Sequence, residues 1–112
     1  MPATFATTPE PPYYAVIFTS KRTVTDDGYG PMLETLERLA TEHPGYLGRE
    51  SLRNAEGFGI AVIYYKDEES IRAWKAHGKH ALAQKHGKER WYEHYEMRVA
   101  KVERAYSGPE GR

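Results

Sequence analysis

Apolar residues recur along this chain at two alternating periods, and the switches between them mark out its elements. Tyr13 to Ser20 reads Tyr-Tyr-Ala-Val-Ile-Phe-Thr-Ser, a β-branched and aromatic run that predicts a strand. One face carries Tyr14, Val16 and Phe18, the other Tyr13, Ala15 and Ile17. Both faces are apolar, which predicts cover on both sides. Lys21 to Gly30 is a polar loop with a helix-start signal at Asp26-Asp27-Gly28. Tyr29, Met32, Leu33, Leu36, Leu39 and Ala40 then form one stripe of a helix, with Glu34, Glu37, Arg38 and Thr41 on the wet side. His43-Pro44-Gly45 ends it, because proline cannot continue the ladder and disfavours helix in the residue before it.

Tyr46 to Arg53 alternates loosely and predicts a more polar strand nearer an edge. Asn54 to Gly57 is a turn with glycine where positive φ is needed. Phe58 to Tyr65 is the strongest strand pattern. Phe58, Ile60, Val62 and Tyr64 share one face, and Gly59, Ala61, Ile63 and Tyr65 share the other, whose small residues let a helix lie close. Asp67 predicts an N-cap, with Glu68 and Glu69 in the first turn of a helix carrying Ile71 and Trp74. Gly78 predicts a kink, followed by a second helical piece to about Lys88. From Trp91 a long strand places Tyr95, Met97 and Val99 on one face and Ala100 and Val102 on the other, a change of phase that predicts a β-bulge near Ala100-Lys101.

The order strand, helix, strand, strand, helix, strand predicts an α+β domain of the ferredoxin-like kind. It is a β-α-β-β-α-β chain with a four-stranded antiparallel sheet and both helices on one face. Residues 1–12, ending in prolines and without periodicity, read as a flexible N-terminal arm; residues 13–106 form the domain; residues 107–112 are a polar C-terminal tail. Two helices cover only one side of such a sheet, yet the strands are apolar on both. A symmetric homodimer packed through the sheet faces is therefore expected.

Composition adds mainly exclusions. The 112 residues suit one domain, and sixteen basic residues balance sixteen acidic ones, so no net field draws the chain to nucleic acid or membrane. With no cysteine there are no disulfides or thiolate metal sites, and a reducing compartment fits. No apolar run approaches the roughly 20 residues that span a bilayer, and the first twelve residues lack the regions of a signal peptide. A cytoplasmic location is the expectation.

Candidate chemistry gathers between Ser70 and Gln84, where Trp74, His77, His80 and Gln84 recur at helical spacings. His77-x-x-His80 places two imidazoles on one helical face, but no third ligand is fixed by spacing, so no metal is expected. Lys75, Lys79, Lys85, Lys88 and Arg90 are interleaved with apolar positions and read as a wet helix face rather than a nucleic-acid patch.

Three local patterns accompany the element order: Glu42-His43-Pro44-Gly45-Tyr46-Leu47-Gly48, Ile71-Arg72-Ala73-Trp74-Lys75, and the His77/His80 pair before the last strand. Together they resemble the antibiotic biosynthesis monooxygenase domain of the dimeric α+β barrel superfamily, over roughly residues 13 to 106. The resemblance implies a pocket between sheet and helices and oxygenation of an aromatic or quinol-type substrate without metal or flavin. It implies Trp74 as a pocket wall or donor and His77 or His80 as the base, histidine titrating near neutral pH. Tyr14, Phe18, Tyr64 and Tyr65 are candidates for the lining, depending on which strand face turns to the helices, and Gln84 for substrate binding.

The superfamily's haem-degrading branch has an asparagine on the first strand and a histidine about three turns after its tryptophan. Here Tyr13 to Ser20 holds no asparagine, and Gln84 stands ten residues after Trp74. Haem degradation is not expected, and no cofactor is. Two functions stay open: a cofactor-independent monooxygenase, and a non-catalytic dimer of the same fold that binds a small apolar ligand or acts in stress response. A polar-lined cavity of about 300 Å³ or more beside Trp74 would favour the enzyme; a filled core would favour the other.

Overall fold

A computed structural model describes residues 4–24, 28–77 and 91–109. The elements run β1 (Tyr13–Arg22), α1 (Tyr29–Glu42), β2 (Tyr46–Arg53), β3 (Phe58–Tyr65), α2 (Glu68–Ala76) and β4 (Tyr92–Val102). This is the expected β-α-β-β-α-β order, and β2 and β3 keep the limits read from the sequence. The four strands form one antiparallel sheet in the order β2-β3-β1-β4, so the polar β2 is an edge strand, as its pattern suggests.

Pairing across the sheet sets four rungs on one face, about 7 Å apart. Tyr14 lies opposite Tyr65 and Lys101, Val16 opposite Ile63 and Val99, Phe18 opposite Ala61 and Met97, and Ser20 opposite Gly59 and Tyr95. Arg49 of β2 joins the second rung, opposite Ile63. Both helices pack on this face. The buried cluster Val16, Ala40, Tyr65 and Trp74 joins β1, α1, β3 and α2, with Leu36, Leu39, Tyr46, Ile63 and Ile71 packed around it. Burying a side chain of this size from water stabilises by roughly 1.5–3 kcal/mol, which is how the stripes on α1 and α2 hold the helices to the sheet.

Local chemistry fixes where the helices start and stop. The Asp67 carboxylate accepts hydrogen bonds from the Ser70 backbone N–H at 2.8 Å and the Ser70 hydroxyl at 2.6 Å, satisfying an orphan donor of the first turn. Those bonds also hold the Asp67 carboxyl below its ordinary value. α1 starts from Gly28 at φ 75° without a side-chain cap and stops at His43, which is extended before Pro44. Asp26 and Asp27 of the expected start signal lie outside the described residues, as do the Gly78 kink and the helical piece after it. α2 ends at Ala76, and His77 is extended at ψ 133°.

The expected bulge near Ala100-Lys101 is not there. β1 and β4 pair without interruption from Tyr13–Val102 to Lys21–His94, and the register shifts only between Lys21 and Arg22. Ala100 and Val102 simply face the side away from the helices, which is itself apolar. That far face presents Ala15, Ile17, Ile60, Val62 and Leu52. Leu52 is 75 % exposed, Phe58 48 % and Ile60 46 %. The N-terminal segment touches its rim: the Ala6 backbone N–H donates to one Glu50 carboxylate oxygen at 2.9 Å, and the Tyr64 hydroxyl donates to the other at 2.8 Å. No helix among the described residues is long and apolar enough to cross a membrane.

Candidate active site

Between the helix-covered face and the two helices lies a cavity of about 340 Å³. Its floor is the rung side chains Val16, Phe18, Ala61, Ile63, Tyr65, Met97 and Val99; Met32, Leu33, Leu36 and Ala40 of α1 and Ile71 and Trp74 of α2 complete the wall. Ala61 leaves the volume that a larger residue would fill on this face.

One end is aromatic. The Phe18 ring meets Tyr92 edge-on at 5.4 Å and Tyr95 at 5.5 Å, and Tyr29 meets Trp91 at 5.6 Å and Tyr92 at 6.0 Å. Tyr29 is the first residue of α1, so the helix start closes this end over the last rungs of the sheet. The Tyr92 hydroxyl points to that of Tyr29 at 3.4 Å; burial, then this contact, keeps the Tyr92 phenol protonated well above the usual tyrosine range. Arg22 stacks its guanidinium 3.5 Å over the Tyr29 ring and donates from Nε to the Trp91 carbonyl at 3.1 Å.

The middle of the cavity is polar on one side. Arg49 reaches in from β2, and its Nη1 lies 3.3 Å from Oε2 of Glu37 on α1. Lys75 of α2 and Tyr46 of β2 also line the space. Burial raises the Tyr46 and Tyr65 phenols, so both present O–H groups rather than anions. Apolar walls with a few convergent polar groups are the make-up of a small-molecule site.

Trp74 is 8 % exposed and lines the cavity, with the His43 ring at 5.5 Å and the His77 ring at 5.3 Å. His43 Nε2 sits 3.2 Å from the Ser70 carbonyl, which only accepts, so Nε2 carries the proton. His77 therefore meets Trp74, but through the extended residue after α2 rather than along a continuing helix, and it is not among the lining side chains.

Of the other residues predicted for the site, Phe18 and Tyr65 line the cavity. Tyr14 shares their face, one rung beyond Val16, without reaching the lining. Tyr64 projects from the opposite face, where it pairs with Glu50 and lies edge-on to Tyr13 at 5.7 Å. Strand alternation separates it from Tyr65, so it does not share the cavity. Burial, then the Glu50 hydrogen bond, pushes its phenol up to about 12. His80 and Gln84 lie outside the described residues. Sequence reasoning missed Tyr29, Trp91, Tyr92, Tyr95, Arg49 and Lys75 as lining, and put Glu37 on the wet side of α1. Among the described residues no three His, Asp or Glu side chains gather to hold a metal ion.

No family model matches the chain. It is 50 % identical over 97 residues, 87 % of its length and 85 % of the relative's, to the uncharacterised protein YqjZ of Bacillus subtilis. SnoaB of Streptomyces nogalater, a cofactor-independent oxygenase, matches in structure with a TM-score of 0.68 at 9 % identity, over 89 % of this chain and 100 % of SnoaB. The SO0527 protein of Shewanella oneidensis matches with a TM-score of 0.73 at 9 % identity, over 84 % of this chain and 94 % of that one. An antibiotic biosynthesis monooxygenase matches with a TM-score of 0.65 at 12 % identity, over 82 % and 98 %. At these identities the structural matches establish the fold.

Proposed function

Because the chain belongs to the family of Bacillus subtilis YqjZ and has the antibiotic biosynthesis monooxygenase fold, we propose that it is a cofactor-independent monooxygenase acting on a small aromatic or quinol-type substrate. The observation that carries this reading is the 340 Å³ cavity walled by aromatic side chains beside Trp74. That volume is at the small end of ligand pockets, roughly 300–1,000 Å³.

The chemistry asks the protein for a base, a dry aromatic slot and donors for an anion. The substrate gives a proton to the base, from the acidic C–H of an anthrone or the O–H of a quinol, and the resulting carbanion or phenolate supplies electrons to dioxygen through a carbon that bears a hydrogen. A C–O bond forms as a hydroperoxide, which loses water to leave a carbonyl. One oxygen atom ends in product and the other in water, with dioxygen as the oxidant. In this reading Trp74 is the wall against which the ring stacks, and Phe18 and Tyr65 complete the slot. His77 or His80 serves as the base. The protonated phenol of Tyr46 acts as a donor toward the substrate oxygen.

Oxygen consumption with a panel of anthrones, quinols and catechols tests this, comparing wild type with Trp74→Phe, His77→Ala and His80→Ala. A protein-dependent rate reduced in Trp74→Phe and abolished in one histidine variant supports it. No rate with any substrate leaves the second reading, a dimer that only binds a small apolar ligand. That alternative is favoured by two observations: His77 lies against Trp74 outside the cavity lining, and Glu37 is already paired with Arg49.

The same reading gives the chain a second copy as partner. The far face of the sheet, with Ile60 and Phe58 about half exposed and Leu52 more so, is apolar surface of the kind that soluble chains cover. Two such sheets packed face to face form the dimeric barrel.

A further inference from the structure

We propose that the cavity selects an aromatic ligand bearing one negative charge, with Arg49 as the residue that binds the anionic group. This rests on the reading that the cavity holds an aromatic ligand, and adds what that ligand must carry. Among the described residues three charged side chains line the space: Glu37, Arg49 and Lys75. One is negative and two are positive, so this described lining carries one excess positive charge, whereas the whole chain is formally neutral. Lys75 makes no ion pair among the described residues. An anion of single charge restores local neutrality.

Arg49 is the recogniser by geometry. It stands on the second rung, opposite Ile63, at the β2 edge of the floor. Its two contacts are both long: Nη1 to Glu37 at 3.3 Å and Nη2 to the Ser51 hydroxyl at 3.4 Å. Close charge-assisted bonds measure roughly 2.7–2.9 Å, and a guanidinium offers five donors in a planar fork suited to a carboxylate. Arg49 is thus oriented by Glu37 and Ser51 yet retains donors to give. The Tyr46 hydroxyl, kept protonated by burial, adds a neutral donor to the lining. Phe18, Trp91, Tyr92 and Tyr95 meanwhile line the opposite end with uncharged aromatic side chains. Ring toward the sheet's last rungs and charge toward Arg49 is the orientation this asymmetry imposes.

Isothermal titration calorimetry with 1-hydroxy-2-naphthoate and 1-naphthol, which differ only in the carboxylate, tests the proposal. Wild type binds the naphthoate about ten-fold tighter or more, and raised salt shrinks that preference. Arg49→Gln abolishes the preference, and Lys75→Gln, at an exposed position that folding tolerates, reduces it. Equal binding of the two ligands by wild type, or a full preference retained in Arg49→Gln, overturns the proposal. Binding of neither ligand overturns it together with the aromatic-site reading. A carboxylate preference without oxygen uptake on any substrate leaves it standing and removes only the oxygenase.

Discussion

The guanidinium of Arg53 occupies the place where a side chain at Gly59 would begin. A Cβ at Gly59 would lie 2.9 Å from Arg53 Cζ and 3.1 Å from Nη1. The guanidinium is held there by three hydrogen bonds: Nη1 donates to the Gly57 carbonyl at 2.6 Å and the Ser20 carbonyl at 3.3 Å, and Nη2 donates to the Ser20 hydroxyl at 2.8 Å. Ser20 is 2 % exposed, so Arg53 satisfies a polar group that water does not reach. One arginine thereby ties edge strand β2 to β1 beneath the aromatic end of the cavity.

That relationship predicts strong non-additivity. Gly59→Ala should destabilise wild type by about 1–3 kcal/mol, because the methyl displaces Arg53 and leaves Ser20 unsatisfied. In an Arg53→Ala background the same change should cost little or nothing. A double-mutant cycle by urea denaturation checks this; additive costs would mean that the two residues do not share the site.

Gly45 and Gly28 separate backbone strain from crowding. Both have positive φ, 92° and 75°, where alanine costs roughly 1–2 kcal/mol. A Cβ at Gly28 meets nothing within 4 Å, whereas one at Gly45 collides with the Ser70 side chain, whose hydroxyl donates to the Asp67 cap of α2. Gly28→Ala should therefore lose about 1–2 kcal/mol and Gly45→Ala clearly more, read as the shift in denaturation midpoint at constant slope. Equal losses would remove the argument from packing.

Stability should fall on the alkaline side. Desolvation raises Tyr65 and Tyr92 above the ordinary tyrosine range and, with the Glu50 hydrogen bond, takes Tyr64 up to about 12. In the unfolded chain these phenols ionise near 10. The unfolded state thus sheds protons first as pH rises, so their contribution is whole below pH 10 and is lost as pH climbs through the folded-state values. Urea midpoints should be level from pH 8 to 9 and drop above 10, while tyrosinate absorbance at 295 nm rises together with unfolding. Complete tyrosine ionisation near pH 10 in a chain that stays folded would contradict this.

The element pattern was legible because each strand and helix is periodic, and periodicity reports which residues share a face. It does not report what stands opposite. Met32, Leu33 and Leu36 obey the same stripe as Leu39, yet they roof a cavity, and of the three only Leu36 also packs on the core cluster. Alternation separated Tyr64 from Tyr65, but only the seat of the helices decides which of them meets the cavity. Glu37 read as a wet residue because its partner, Arg49, comes from another element. The change of phase from Val99 to Ala100 and Val102 read as a bulge, but the register runs on unbroken and the two residues lie on the second apolar face. Tyr29 stands at least 62 positions before Trp91, Tyr92 and Tyr95 in sequence and meets them only through the antiparallel β1–β4 pairing and the α1 start.

The proposed dimer has a direct reading in solution. Light scattering should give twice the 12.8 kDa chain mass at micromolar concentration, and Ile60→Lys, in the centre of the far face opposite Thr19 and Leu52, should give the monomer. A wild-type monomer under those conditions would contradict face-to-face packing.

Turnover under ¹⁸O₂ tests the central claim most directly. With a substrate from the anthrone and quinol panel, and protein dialysed against chelator, we expect one labelled oxygen atom in the product carbonyl and one in water. The rate should depend on protein concentration and fall in Trp74→Phe. Unlabelled product, or no product with compounds that calorimetry shows to be bound in the cavity, would contradict the oxygenase and leave a ligand-binding protein.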